Sequence, residues 1–380
     1  MEQGCNFSMG IMKSLLVVKN KVRLWQHIFL SVAITLLLTV KCDGQSKDST
    51  SGFKISGYTD VYYARYSDSV GQGNYQKFPV ISPRNNEIGL NIIQLTGQYT
   101  SEKIRAIVTL HYGDIPASAW SPQFNMIQEA NAGIKLGKKV WLDAGFFKTH
   151  IGTEALLPKD NIASSLSIIT TYEPWFQSGV KLTYLPNDKF LFCLHVLNGY
   201  NVFVDNNSRK SVGVSFLYTM NDKFNFGYYN LIGNELPDSV KGPHVRFLNN
   251  FVFNYQLTPK LKAQAGFDYI GQQNSGFIDK TKYASVYSAI VALKYQVVTK
   301  FGFYGRFEWF DDKEGFLSGQ TNRYDPCGVT LGLEFKPTDN SYIRLEGREL
   351  IMNESEKIFR TDGQYTNIRY EGMINIGVWF

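Results

Sequence analysis

Apolar and polar residues alternate along most of the chain, most clearly in its last eleven residues. One face there carries the even-numbered, mostly apolar residues, and the other carries Glu371, Met373, Asn375 and Gly377. A period of two with one apolar face predicts a β-strand whose two sides meet different environments. The pattern recurs in about sixteen segments from residue 53 onward, so the sequence predicts an all-β fold.

The connections between these segments alternate between short and long. Seven are tight turns rich in Asn, Asp, Gly and Pro. The long ones lie near residues 67–86, 113–123, 148–174, 199–210, 233–243, 272–284, 312–327 and 351–369. The alternation of apolar and polar residues would also fit a soluble β-sandwich. The alternation of short and long connections is not expected of a sandwich. Short periplasmic turns and long extracellular loops are typical of a transmembrane antiparallel up-and-down β-barrel, here of about 16 strands.

Charged residues recur on the polar face of these segments. A Lys or Arg that faces lipid near the middle of a membrane costs about 2–4 kcal/mol, so we expect this face to line the lumen. The lumen-wall candidates are Arg105, Glu129, Asp143, Lys181, Arg306, Glu308, Arg344, Glu346 and Arg348. Their mixed signs argue against strong ion selectivity.

Composition agrees with a barrel without proving one. The mean hydropathy is −0.20 despite 44% hydrophobic residues, as expected when strands alternate. The aromatic excess, 15% of the chain, would fit a carbohydrate-binding sandwich equally well. Of the net charge of +6, about half lies before residue 45, and the remaining charge is too small to indicate nucleic-acid binding.

The N-terminal segment predicts export. A basic flank precedes one apolar run of about a dozen residues, which is typical of a signal peptide at residues 1–44, followed by a polar linker at residues 45–52. The alternatives are a lipoprotein, disfavoured by Lys41 before Cys42, and an uncleaved anchor, for which the run is short. The unusual length of the flank leaves Met9 or Met12 open as the true start.

We find no motif that predicts an enzyme, a cofactor or a metal site. His111, His150 and His195 are the candidate bases, but no Ser or Thr can be assigned to any of them. His111 and His195 point inward by parity, so positions in the lumen wall are favoured for these two. Cys193 and Cys327 are compatible with a disulfide, although two unpaired thiols fit their spacing better.

An ordered set of short motifs resembles the OmpL-like outer-membrane β-barrel porin family. The motifs are G-x-x-x-T-x-x-G-x-E at residues 145–154, D-N followed by serines at 160–165, P…G-x-K-L-T-Y at 174–184, L-H-Y-G at 110–113, R-x-E at 306–308 with Asp311 and Gly315, and R-x-E-x-R at 344–348. At residues 198–200 the chain has Asn-Gly-Tyr where the family more often has Asn-Gly-Trp. The resemblance spans most of residues 53–380 and implies a pore-forming or transport-related barrel.

The longest connection, near residues 148–174, is the candidate constriction of the channel. We expect it to fold into the lumen and to place five polar residues at or near the narrowest point: Lys148, His150, Glu154, Asp160 and Asn161. The predicted function is passive diffusion of small hydrophilic solutes or ions through a porin-like channel. The alternative is a non-conducting barrel, plugged by this loop, that serves as an accessory subunit of an outer-membrane complex.

The predicted location is the outer membrane of a Gram-negative bacterium, with lipid as the surrounding partner. The closing strand, with Phe380, Val378, Ile376 and Tyr370 on its apolar face, resembles the signal that the barrel-assembly machinery reads. Asp68-Ser69-Val70 and Asp238-Ser239-Val240 resemble short bacterial O-glycosylation motifs. The sequence leaves open whether the barrel forms a homo-oligomer.

Overall fold

The computed structural model describes residues 52–68, 73–276, 278–319 and 324–380. Within these ranges the strands are β1 (Gly52–Tyr66), β2 (Ile88–Thr100), β3 (Ile104–Tyr112), β4 (Ile127–Gly137), β5 (Val140–Lys148), β6 (Phe176–Asn187), β7 (Phe190–Leu197), β8 (Ser211–Asn221), β9 (Phe224–Asn234), β10 (Val245–Thr258), β11 (Leu261–Gln272), β12 (Ala284–Val298), β13 (Phe301–Asp312), β14 (Cys327–Phe335), β15 (Ser341–Ile351), β16 (Phe359–Thr361), β17 (Gln364–Thr366) and β18 (Ile368–Trp379). Two short helices, α1 (Asp114–Ala119) and α2 (Ile168–Tyr172), and a 3-10 turn (Pro158–Asp160) lie in the connections.

Strands β1–β15 and β18 form a closed antiparallel barrel. From β1 to β15 each strand pairs with the next one in the chain, and β15 then pairs with β18. The barrel closes between β1 and β18, where Tyr58 is opposite Trp379 and Tyr66 is opposite Glu371. Short and long connections alternate as the sequence predicted, so we call the two ends of the barrel the turn end and the loop end. The prediction of a sixteen-stranded barrel is confirmed. The hairpin β16–β17, within the last long loop, was not predicted.

The two faces of the strands separate as the alternation requires. In β14, Val329, Leu331 and Leu333 point outward and are exposed, while Thr330 and Glu334 point inward and are buried. In β18, Tyr370, Ile376 and Val378 are likewise exposed on the outer face. The outer surface is therefore an apolar belt, and the polar residues face the lumen.

The remaining sequence predictions have different outcomes in the structure. The signal peptide, nearly all of the linker, and Ser69-Val70 of the first glycosylation motif lie outside the described residues. Ser239 of the second motif is exposed, and its modification stays a prediction. Cys193 and Cys327 are both free thiols, so the disulfide alternative is wrong. A search of the described ranges for a helix long and apolar enough to span a membrane finds none.

The C-terminal residue completes the barrel seam. The Phe380 N–H donates to the Gly57 carbonyl at 3.1 Å, and the Gly57 N–H donates to the Phe380 carbonyl at 3.1 Å. The Phe380 ring occupies the space in which a side chain on Gly57 would lie. A larger residue at position 57 would therefore force the Phe380 ring to move.

We expect Gly57→Val to impair closure of the barrel, because the added carbons would displace the Phe380 ring. The Phe380 side chain is 72% exposed and can move outward, so we expect a cost near the low end for overpacking, about 1 kcal/mol. The measurement is the fraction of refolded protein that shows heat-modifiable migration on gels. The matched control is Gly372→Val, since a side chain built at Gly372 meets no atom within 4 Å. Equal folding of the two variants would contradict the assignment of Phe380 to the seam.

Candidate functional site

The connection between β5 and β6 folds into the barrel, and we call residues 149–175 the inner loop. Its two ends are joined where the Thr149 N–H donates to the Trp175 carbonyl at 3.1 Å. Its apolar side chains are buried, and Ile168 and Ile169 of α2 pack in a cluster with inward-facing Leu248 of β10. Burial of this apolar surface holds the loop against one side of the lumen.

Two arginines of the barrel wall bind the inner loop. Arg306 of β13 donates to Glu154 Oε1 at 2.7 Å and to the Ser165 carbonyl at 2.6 Å. Arg344 of β15 donates to the Pro158 carbonyl at 2.7 Å. The planar guanidinium can serve several acceptors at once, and each arginine therefore joins distant points of the loop.

Two wall carboxylates bind the backbone N–H groups of the same loop. Glu346 accepts hydrogen bonds from the Ser164 and Ser165 N–H groups at 2.7 and 3.0 Å. Glu308 accepts one from the Ile168 N–H, the first residue of α2, at 2.7 Å. A buried backbone N–H without a partner costs free energy, and these carboxylates supply the partners. The wall is therefore shaped to hold the loop.

These wall charges also pair with one another. Glu308 accepts from Arg348 Nε at 2.9 Å, and Arg348 in turn lies 3.3 Å from Glu371 of β18. Nearer the turn end, Glu334 forms ion pairs with Arg344 at 2.8 Å and with Lys294 at 2.5 Å. The result is an almost fully paired ladder of charges on β12–β15 and β18, covered by the inner loop.

The opposite side of the lumen remains open to solvent. The side chains of Arg105, Lys181 and Lys148 are 30%, 28% and 48% exposed, whereas those of Arg306 and Arg344 are 0% and 3% exposed. Asp143 lies between the first two cations, 2.5 Å from Arg105 and 3.9 Å from Lys181. Glu129 pairs with Lys148 at 3.7 Å. Solvent therefore reaches the charges of β3–β6 but not those under the loop.

The structure brings the five constriction candidates to one cavity of about 370 Å³ beside the inner loop. Their environments differ. Lys148 and Asp160 are exposed, and Asp160 pairs with Lys159 at 2.9 Å. Glu154 is buried against Arg306. The Asn161 side chain accepts a hydrogen bond from the Ala155 N–H and donates one to the Ala155 carbonyl. Only part of the set is placed to meet a passing solute.

The three candidate histidines hold structural positions. His150 lies 2.8 Å from Gln177 Oε1 and 2.9 Å from the Asn230 carbonyl, and its ring stacks on His195 at 4.0 Å. His195 Nε2 lies 3.0 Å from Ser215 Oγ, a pairing that the sequence did not reveal. No carboxylate hydrogen-bonds either ring in the part of the chain that the structure describes, nor does that part hold a cluster of potential metal ligands.

The last of the three, His111 of β3, is buried near Gln128, whose amide nitrogen is 3.3 Å from His111 Nδ1, and its ring meets Trp120 edge-on at 4.8 Å. A base needs a reachable proton and an open approach. The ring faces packed side chains instead. The arrangement favours a wall position, as the sequence suggested for an inward histidine.

Neutral polar residues missed by the sequence analysis also hold the loop. Asn250 of β10 accepts from the Gly152 N–H at 3.2 Å, and Gln264 of β11 donates to the Thr153 carbonyl at 3.0 Å. At Gly266 a side chain would overlap Thr153. These residues are uncharged, so a search for charged residues does not find them. The only signal in the sequence was that Asn250 and Gln264 lie at alternate positions of β10 and β11 that face the lumen.

Glu173, the residue after α2, supplies a pH-dependent contact. Burial, with Asp268 beside it and Glu154 nearby, raises the pKa of Glu173 well above that of a free carboxyl group. A raised pKa stabilises the docked loop at low pH, and this contribution is lost as the pH rises through the Glu173 value. We therefore expect loop-opening events in single-channel recordings to become more frequent as the pH rises above the ordinary titration range of a carboxyl group.

The control for this pH dependence is Glu173→Gln. The amide keeps the shape of the carboxyl group but cannot ionise, so the variant should lose the part of the pH dependence that comes from Glu173. A wild-type channel whose openings do not change with pH, or a Gln variant that keeps the wild-type dependence, would contradict the assignment.

Comparison with protein families gives one match over the described barrel. The model of the family described as "Putative beta-barrel porin-2, OmpL-like" covers residues 52–380. No curated protein matches the sequence.

Several solved structures superpose on this chain over most of its length. An anion-selective porin from Comamonas acidovorans superposes with a TM-score of 0.63 at 10% identity, covering 87% of this chain and 100% of that one. The outer membrane channel DcaP of Acinetobacter baumannii gives 0.61 at 9% identity, covering 89% and 99%. OprB of Pseudomonas putida gives 0.56 at 10%, covering 88% and 95%. At such identities the likeness shows the fold alone.

Proposed function

Because this chain belongs to the OmpL-like β-barrel porin-2 family, we propose that it is a channel for passive diffusion of small hydrophilic solutes or ions. The family and the fold point to a channel rather than an enzyme. Passage would occur through the part of the lumen that the inner loop leaves open, with no cofactor and no covalent step.

The unequal exposure of the wall charges is the observation that carries this proposal. The loop covers the ladder on β12–β15, yet the cations of β3–β6 keep a quarter to a half of their side-chain surface exposed. A complete plug would bury both sides. Exposed Arg105, Lys181 and Lys148 would line a narrowed aqueous path, where fixed charges favour particular solutes.

We place the channel in the outer membrane of a Gram-negative bacterium. The apolar outer belt requires a membrane, and two of the similar solved structures are described as a porin and an outer membrane channel. The exposed outer face of β18, with Tyr370, Ile376, Val378 and terminal Phe380, is the surface that we assign to recognition by the barrel-assembly machinery.

The test is single-channel conductance of the refolded barrel in a planar bilayer. We expect stable steps smaller than those of an unobstructed sixteen-stranded barrel, because the inner loop occupies part of the lumen. Heat-modifiable migration on gels confirms that the protein added to the bilayer is folded. A folded barrel that gives no steps would overturn the proposal.

The paired charges under the loop favour a second candidate, a non-conducting accessory subunit. Arg306, Glu308 and Arg348 satisfy one another and the loop, so they contribute no free charge to a channel. Absence of conductance, together with recovery of the barrel in a stable complex with other outer-membrane proteins, would support this alternative.

A further inference from the structure

We propose that the turn end of the barrel contains an anion-binding vestibule, which favours small anions bearing two or more negative charges, such as inorganic phosphate. The vestibule would deepen the proposed function, on which its role in permeation rests, by naming the class of solute. It was not anticipated by the sequence, where mixed signs along the wall argued against selectivity.

The vestibule is a cavity of about 370 Å³ between the inner loop and the short turns. Residues 159–162 of the loop form its inner boundary, and the turn between β10 and β11 lies at its rim. Six cationic side chains line it: Lys159, Lys260, Lys262, Lys294, Lys336 and Arg344. Asp160 and Glu334 are its two carboxylates. The lining therefore carries an excess of four positive charges.

The two acids do not neutralise this excess. Asp160 pairs with Lys159 at 2.9 Å, and Glu334 is shared between Lys294 and Arg344. Within the described residues, neither Lys262 nor Lys336 has an ion-pair partner. Unpaired cations lining a confined space attract anions, as rings of Lys and Arg do in anion channels.

The strand register brings like charges together. Lys262 of β11 is directly opposite Lys294 of β12, so two ammonium groups share neighbouring inward positions. Like charges directly opposite each other destabilise a sheet. Lys294 is paired with Glu334, whereas Lys262 is exposed and has no carboxylate partner among the described residues. An anion held between the two lysines would offset their repulsion, and a doubly charged anion would do so better than chloride.

The position of the vestibule would make it a filter. Its boundaries on the turn side include Gln256, Pro259 and Gln296, and its boundary on the loop side is the inner loop. A solute that passes beneath the loop would meet these lysines at the turn-end mouth of the lumen. Focused positive potential in a cleft raises the local anion concentration.

The first measurement is binding of inorganic phosphate to the detergent-solubilised barrel by titration calorimetry, which requires no conduction. The test variant is Lys262→Gln/Lys336→Gln, since neither lysine has an ion-pair partner whose loss would disturb folding. The control is Lys223→Gln, an exposed lysine in the turn between β8 and β9. We expect wild type and control to bind phosphate, and the double variant to bind at least about tenfold more weakly.

The second measurement is the reversal potential in a gradient of potassium chloride, with phosphate added to each side. We expect chloride to permeate more readily than potassium. The ratio of the chloride to the potassium permeability should fall at least about threefold in the double variant. Phosphate binding without conduction would overturn the channel but keep the vestibule. Conduction with no phosphate binding, or with equal selectivity in wild type and double variant, would overturn the vestibule.

Discussion

Replacement of residues 153–171 by a short Gly-Ser linker is expected to raise the single-channel conductance several-fold, because the inner loop fills one side of a lumen that is otherwise wide enough for an aqueous channel. The substitution is geometrically simple. The Thr149 N–H donates to the Trp175 carbonyl at 3.1 Å, so the backbone on the two sides of the excised segment is already joined close by.

The same excision should change selectivity and stability. It would remove the apolar contacts of Ile168 and Ile169, and it would expose the charges of Arg306 and Arg344 to the enlarged lumen. We therefore expect a lower unfolding temperature and an altered reversal potential. Both changes follow from loss of the loop rather than from damage to the strands, whose pairing does not involve it.

A loop of the outer surface provides the control for the excision. Residues 236–242, between β9 and β10, are largely exposed, and their replacement by the same linker should leave conductance within about twofold. The measurement is the unitary conductance of three barrels matched by heat-modifiable migration. Unchanged conductance after removal of residues 153–171 would show that the loop does not limit the path.

The strands and the alternation of their connections were predictable because each follows from a local rule. A period of two assigns every residue of β14 to one face, and turn chemistry at positions such as Pro259 separates the hairpins. The closing partner of β18 is also implied, since a barrel has no edge strand. These features need no knowledge of what fills the lumen.

Whether each wall charge is exposed to solvent or covered by the inner loop was not predictable from the sequence. Parity places Arg105 and Arg306 inward alike, yet one is partly exposed and the other is covered. The difference is set by where the inner loop lies, which depends on contacts between residues more than a hundred positions apart, such as Gln264 with Thr153. No pattern along a single strand contains that information.

The charged wall residues therefore have different roles on the two sides of the lumen. On β13 and β15, Arg306, Glu308 and Arg348 bind the loop or one another, and a solute does not meet them. On β3–β6 the charges remain in contact with solvent. A loop held by a paired ladder has a defined position, as a selective passage requires. Weakening the ladder should then affect conduction from positions that no solute touches.

Arg306→Met tests this directly, and we expect it to produce a channel with larger and noisier conductance and a lower unfolding temperature. The arginine lies 2.7 Å from Glu154 and 3.3 Å from Glu308, and its side chain is fully buried. Removal of one member of a buried ion pair costs about 3–5 kcal/mol, because the remaining charge is left without compensation. The Ser165 carbonyl would also lose its donor.

Two further variants separate the loss of charge from the loss of packing. Lys148→Met breaks a partly exposed pair at 3.7 Å, for which a cost of about 1 kcal/mol is expected, and its channel should stay quiet. Arg306→Met/Glu154→Gln neutralises the carboxylate left behind, and should recover part of the lost stability. If the double variant is as unstable and as noisy as Arg306→Met, the buried charge is not what positions the inner loop.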